Sequence, residues 1–172
     1  MLAGLAVLFG LCCGLACCGY KVSSALRADK EPRTLCIPVL ENNTTEGGLG
    51  TLMANDMIRW LARDRRLVLS QSTGADFVLK ARIVSLHESN SSRRSEGAST
   101  GKRLRLTLSV TLLDKSGKAI WTDGGFADSE DYIVMADDFQ ATQENRKQAL
   151  SALSARLAEK ARDRIEAYLD NF

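Results

Sequence analysis

The clearest pattern in the chain is the strict alternation between residues 103 and 112. Leu104, Leu106, Leu108, Val110 and Leu112 fall on one side, and Arg103, Arg105, Thr107, Ser109 and Thr111 on the other. Successive side chains of a strand point to opposite faces, so this spacing predicts a strand with one core face and one polar face. Before it, Phe77 to Leu86 carries apolar residues on both faces and is predicted to be a central strand. Residues 89–101 between the two contain no large apolar side chain, which marks a long loop at the tip of a hairpin. After it, Asp114-Lys-Ser-Gly117 reads as a turn, and Lys118 to about Tyr132 as the next strand, with Gly124-Gly125 as a bulge or bend.

Helical spacing replaces alternation on either side of this block. Leu49, Leu52, Met53, Met57, Trp60 and Leu61 share one face across residues 48–64, a core face rather than a cofactor surface. Arg59, Arg63, Arg65 and Arg66 crowd the end of that helix, where solvated cations complement the helix dipole. Leu150, Leu153, Leu157, Ala161, Ile165 and Leu169 stripe a second helix from about Asp138 to Tyr168. Ala149 and Ala158 permit close approach to a sheet, and Arg162 and Glu166 lie on the charged face.

Three shorter segments complete the order. Residues 34–40 are rich in β-branched side chains and form the first strand; Pro38 requires that strand to lie at an edge or to face away from a partner. Residues 41–48 form a turn leading into the first helix, with Thr44 or Thr45 as its N-cap. Leu67-Val-Leu69 is a short strand closed by polar residues. The order β-α-β-β-β-β-α predicts an α+β two-layer sandwich, with two helices packed on one face of a four- to five-stranded mixed sheet.

The first twenty residues break with all of this. They hold no charged side chain, four glycines and four cysteines, and end in Leu15-Ala16-Cys17-Cys18-Gly19-Tyr20. An apolar run of this length followed by small residues is a signal-peptide pattern. A leucine three residues ahead of a cysteine is the pattern at which lipoprotein signal peptidase cuts. Residues 1–17 therefore read as a lipoprotein signal peptide, 18–33 as a lipidated N-terminus and spacer, and 34–172 as a single α+β domain. Cys18 is the expected lipid attachment point, with Cys17 as the fallback because Gly14 fits the leucine position less well. The positive n-region is missing, which points to a start placed downstream of the true one in preference to a charge supplied by the free amine alone. An uncleaved membrane helix is the alternative, but Lys21, Arg27, Lys30 and Arg33 would then lie on the translocated side, against the positive-inside bias.

Composition narrows the function classes. A net charge of +2 and an aromatic content of 6% give neither the basic footprint nor the stacking platform of a nucleic-acid binder. Cleavage and acylation leave Cys36 as the sole thiol, read as a buried strand cysteine. His87 is the single histidine and sits at a strand end. No catalytic pairing, zinc motif or phosphate-cradling loop is present, so the chain is read as no enzyme. Asp123, Asp128, Glu130, Asp131, Asp137 and Asp138 form an acidic run without calcium-loop spacing, read as a solvated strand edge.

The lipobox at Cys18, the segment Thr34-Leu-Cys-Ile-Pro-Val-Leu-Glu-Asn-Asn-Thr44, the hairpin Leu112-Leu-Asp-Lys-Ser-Gly-Lys-Ala-Ile-Trp121 and the Ala/Arg-rich last helix together resemble the LPS-assembly lipoprotein family, LptE. The resemblance covers nearly the whole mature chain; Cys17 and the uncharged leader depart from the pattern. It implies a lipoprotein on the periplasmic face of the outer membrane, without cofactor apart from covalent diacylglycerol and N-acyl lipid on Cys18. Its implied partners are an LptD-type outer-membrane β-barrel, which it plugs and helps assemble, and lipopolysaccharide, with no nucleic acid. Arg93, Arg94, Lys102, Arg103 and Arg105 flank the hairpin tip and are the candidate lipopolysaccharide or barrel contacts, since Arg forks and Lys suit phosphate. The alternative function is another envelope accessory lipoprotein, either a peptidoglycan-synthase activator or a transport-complex subunit.

Overall fold

The alternating run becomes the spine of the sheet. The structure is a computed structural model that describes residues 31–72, 74–91 and 100–170. Its elements are β1 (Arg33–Cys36), β2 (Glu41–Asn42), α1 (Leu49–Leu61), β3 (Leu67–Ser70), β4 (Phe77–Asn90), β5 (Thr100–Asp114), β6 (Ala119–Val134) and α2 (Phe139–Leu169). The six-stranded sheet runs β3-β1-β4-β5-β6, with β2 also paired to β4. β1 is parallel to both β3 and β4, while β4, β5 and β6 form an antiparallel meander. Leu104, Leu106, Leu108, Val110 and Leu112 are all buried under the two helices, as their spacing predicts. The architecture is the α+β two-layer sandwich.

The first strand departs from expectation. It stops at Cys36 and lies between β3 and β4, not at an edge. Pro38 has no N–H to donate, so the ladder lapses over residues 37–40 and resumes as β2, where Glu41 and Asn42 pair with Arg82 and Ile83 of β4. Two residues expected in a turn are thus strand. Neither Thr44 nor Thr45 caps α1: the N-cap is Gly48, in the left-handed region at φ 76°, without a side-chain cap. Thr44 instead closes a local turn, its N–H and hydroxyl both donating to the Asn42 side-chain oxygen at 3.0 and 2.7 Å. Gly50 lets the helix close on the interrupted strand, because a Cβ there would lie 2.7 Å from the Leu40 carbonyl oxygen.

β4 is central through its hydrogen bonds on both edges, but only one of its faces is covered. Phe77, Leu79, Ala81 and Ile83 are buried, whereas Val84 is exposed where the register with β5 shifts. The Gly124-Gly125 bulge forms as predicted: Asp123 pairs with Val110 and Phe126 with Leu108, so two glycines stand opposite Ser109 alone.

The arginines at the end of α1 are more engaged than solvated dipole partners would be. Arg66 forks onto the buried Asp64 and also pairs with Asp170 beyond α2. Arg59 pairs with Asp56, and Arg63 stacks on Trp60 at 4.2 Å, with Arg162 over the same ring at 5.1 Å. α2 starts at Asp138, whose carboxylate accepts from the Ala141 N–H at 2.8 Å, and its predicted stripe from Leu150 to Ile165 is buried. Between the helices the Ser154 hydroxyl donates to Asp56 at 2.5 Å, both residues being buried.

Strand directions give the sandwich two distinct ends. β1 and β4 start, β5 stops and both helices finish at the end where the described chain begins, near Arg33. The β4–β5 hairpin runs to the opposite end.

Candidate functional site: the distal end of the hairpin

Past Ile83 only Leu86 of the described β4 side chains still packs against the core, and contacts between the layers become ionic. Lys102 of β5 donates to Glu88 of β4 at 2.5 Å. Arg146 of α2 reaches the same Glu88 at 3.3 Å and forks onto Glu46, ahead of α1, at 3.0 and 2.7 Å. One guanidinium thus ties three separate elements together, which suits its planar fork of donors. The Tyr132 hydroxyl also donates to Glu88; burial and that carboxylate push its pKa up to about 12. The hydrogen bond from Arg146 holds the Glu46 carboxyl below the usual range against burial, which works the other way. Burial pushes Glu88 up, but Lys102, Tyr132 and Arg146 outweigh it and leave it lowered. Glu46, Glu88 and Arg146 border a notch of about 310 Å³ lined also by Thr44, Ser85 and Leu104.

The other face of the sheet is arranged differently. Arg103 lays its Nε and Nη2 on the two Asp131 carboxylate oxygens at 2.7 and 3.0 Å, and the Ser91 hydroxyl donates to the same carboxylate at 2.9 Å. Arg105 is exposed and enters no ion pair among the described residues. Adjacent strand residues face opposite ways, so Arg103 and Arg105 share the open face while Lys102 turns toward the helical layer. Of the other predicted site residues, Arg93, Arg94, Cys17 and Cys18 lie outside the described residues.

Sequence reasoning missed Glu46, Glu88, Tyr132 and Arg146. They come from four distant segments, and no local spacing joins them. It also misjudged the acidic run, which pairs with α2 more than it faces solvent. Asp128 accepts from Arg156 and Lys160, Glu130 pairs with Arg156, Asp123 with Arg164, and Asp138 caps the helix. Among the described residues no group of three or more His, Cys, Asp or Glu side chains is placed to hold a metal, and no helix is long and apolar enough to cross a membrane. Cys36 is a buried free thiol and His87 is exposed.

The described chain is a small α+β domain, a mixed sheet under two helices with a long hairpin ending in charge pairs. It is similar in fold to a lipoprotein from Caulobacter crescentus CB15, with 19% identity and a TM-score of 0.55 over 78% of this chain and 92% of that one. It is also similar to rare lipoprotein B from Shewanella oneidensis, with 14% identity and a TM-score of 0.52 over 81% of this chain and 98% of that one. No curated protein matches it. The family model described as LptE, lipopolysaccharide-assembly, matches residues 32–165, and the chain belongs to that family. The family is one of accessory lipoproteins rather than enzymes.

Proposed function

We propose that the protein is a lipid-anchored subunit of the outer-membrane lipopolysaccharide-assembly machinery, seated in an LptD-type β-barrel. The observation that carries this reading is the family match across residues 32–165. Residues 1–17 are removed, Cys18 carries the diacylglycerol and N-acyl chains, and residues 18–33 lead from the membrane to the domain of residues 34–172. Each buried methylene contributes about 0.8 kcal/mol, so two or three chains hold the protein on the periplasmic face of the outer membrane throughout its working life. The hairpin end is polar and charge-paired, which suits the polar lumen of a large barrel. Arg93, Arg94, Arg103 and Arg105 are its contacts with lipopolysaccharide phosphates, while Lys102, on the helical side, is engaged by Glu88.

Affinity purification of the full-length protein from native envelopes tests the reading. The expected result is a 1:1 complex with a very large outer-membrane barrel and an acylated N-terminal peptide at Cys18 by mass spectrometry. A bare N-terminus in a water-soluble fraction, or recovery with a peptidoglycan synthase or an inner-membrane transporter, would overturn it.

A further inference from the structure

The corner where β6 gives way to α2 exposes three large apolar side chains within seven residues: Ile133 at 43%, Met135 at 40% and Phe139 at 78%. Apolar side chains clustered in this way on a small domain mark a binding surface more often than an accident of folding. The corner is also stiff. The Thr142 hydroxyl accepts from the Met135 N–H at 2.9 Å, Asp138 caps the helix, and the Asn145 amide donates to the Ile133 carbonyl at 2.9 Å. Beside it runs a shallow groove of about 330 Å³ in which Ile133, Ala149 and Ala152 share the lining with the polar Glu130, Asn145 and Gln148.

The placement of charge indicates what this corner receives. Ile133 lies two residues beyond Asp131 on β6, hence on the same open face as the Arg103–Asp131 pair and Arg105. Its partner across β5 is Gly101, which has no side chain to cover it. Arg103 spends Nε and Nη2 on Asp131, leaving Nη1 for another acceptor. Cationic donors with Ile133 farther along the same face, and the exposed Met135 and Phe139 just beyond it in the chain, offer a surface complementary to an amphiphile, with anionic groups at one end and hydrocarbon at the other.

We propose that Ile133, Met135 and Phe139 form an acyl-chain subsite for a phosphorylated glycolipid whose anionic groups engage Arg103 and Arg105. This rests on the lipopolysaccharide reading and adds to it a second, apolar half of the site. Rigidity matters here, because a ledge already ordered loses little side-chain freedom when the chain lies down on it.

The test compares two probes, intact lipopolysaccharide and the same material with its ester-linked chains removed by mild base, each captured by the purified full-length protein. The wild type should prefer the intact probe about tenfold or more. Ile133→Ser/Met135→Ser/Phe139→Ser should lose that preference while binding the deacylated probe as before, and Phe139→Leu should retain it. All three positions are exposed, so an unchanged thermal midpoint separates loss of the subsite from unfolding. Equal wild-type affinity for both probes, or a triple variant that keeps the preference, overturns the subsite and leaves the lipopolysaccharide reading standing. Capture of neither probe overturns both. A triple variant that binds both probes normally but no longer co-purifies with the barrel assigns the corner to protein contact instead.

Discussion

The two ends of the sandwich are held by different forces. Near Arg33, side chains of both helices and the sheet interlock: Leu35, Leu61, Leu67, Leu79, Leu157 and Ile165 are all buried, and Asp64 is forked by Arg66. At the hairpin end the fully buried run stops at Leu104, and Glu46, Arg146, Glu88, Lys102, Arg103 and Asp131 take over. Apolar burial is non-directional and little affected by salt, whereas ion pairs between half-exposed groups contribute modestly and are screened. One end is a fixed base, and the other can exchange its partners at small cost. That is the disposition expected of a domain that must keep its shape while its tip meets something charged.

Breaking the base should cost most. Leu108→Ala, in the middle of the buried row, should lower unfolding free energy by about 3–4 kcal/mol in denaturant titrations. Asp56→Ala leaves the Ser154 hydroxyl buried without its acceptor and should cost about 1–3 kcal/mol by the same measurement. Arg146→Met, at the ionic end, should cost at most about 1 kcal/mol once solvent screening is allowed for, yet hydrogen exchange around Glu88 and Lys102 should quicken while α1 amides stay protected.

Acid should sharpen the contrast. Glu46 and Glu88 have lower pKa values folded than unfolded, so their contribution is complete above the ordinary glutamate range and is lost as pH falls through and below it. Amide protection at the hairpin end, corrected for the intrinsic exchange rate at each pH, should therefore fall below about pH 4, before the base yields. The smallest structural effect is expected from Arg103→Ala/Arg105→Ala, which should leave the thermal midpoint unchanged while lipopolysaccharide capture at low salt declines. Equal capture by wild type and variant would remove these two residues from the site.

What could be read from the sequence was what neighbours along the chain decide. The alternation of residues 103–112, the stripe of α2 and the Gly124-Gly125 bulge follow from local spacing, and all are present. Pro38 was a visible signal of trouble, but its outcome, an inner strand that lapses and resumes, depended on β4 offering pairing sites farther along. The preference for threonine caps failed because Thr44 was already committed to Asn42 and Gly48 could supply the left-handed turn. The Glu46–Arg146 and Asp56–Ser154 contacts join residues 100 and 98 positions apart, so they required the fold before they could be seen. For the same reason the basic residues beside the tip read as one cluster, although the pleat sends Lys102 and Arg103 to opposite faces.

The separation of the two ends also fixes a reach. β4 alone contains fourteen residues, about 45 Å if straight, so its far end at Asn90 stands more than a bilayer core's thickness from its start at Phe77. A β-barrel that receives that end, as proposed above, must be correspondingly deep. Deleting two residues from each arm would retract it by about 7 Å without inverting either face, a ruler by which the depth of the receptor can be gauged.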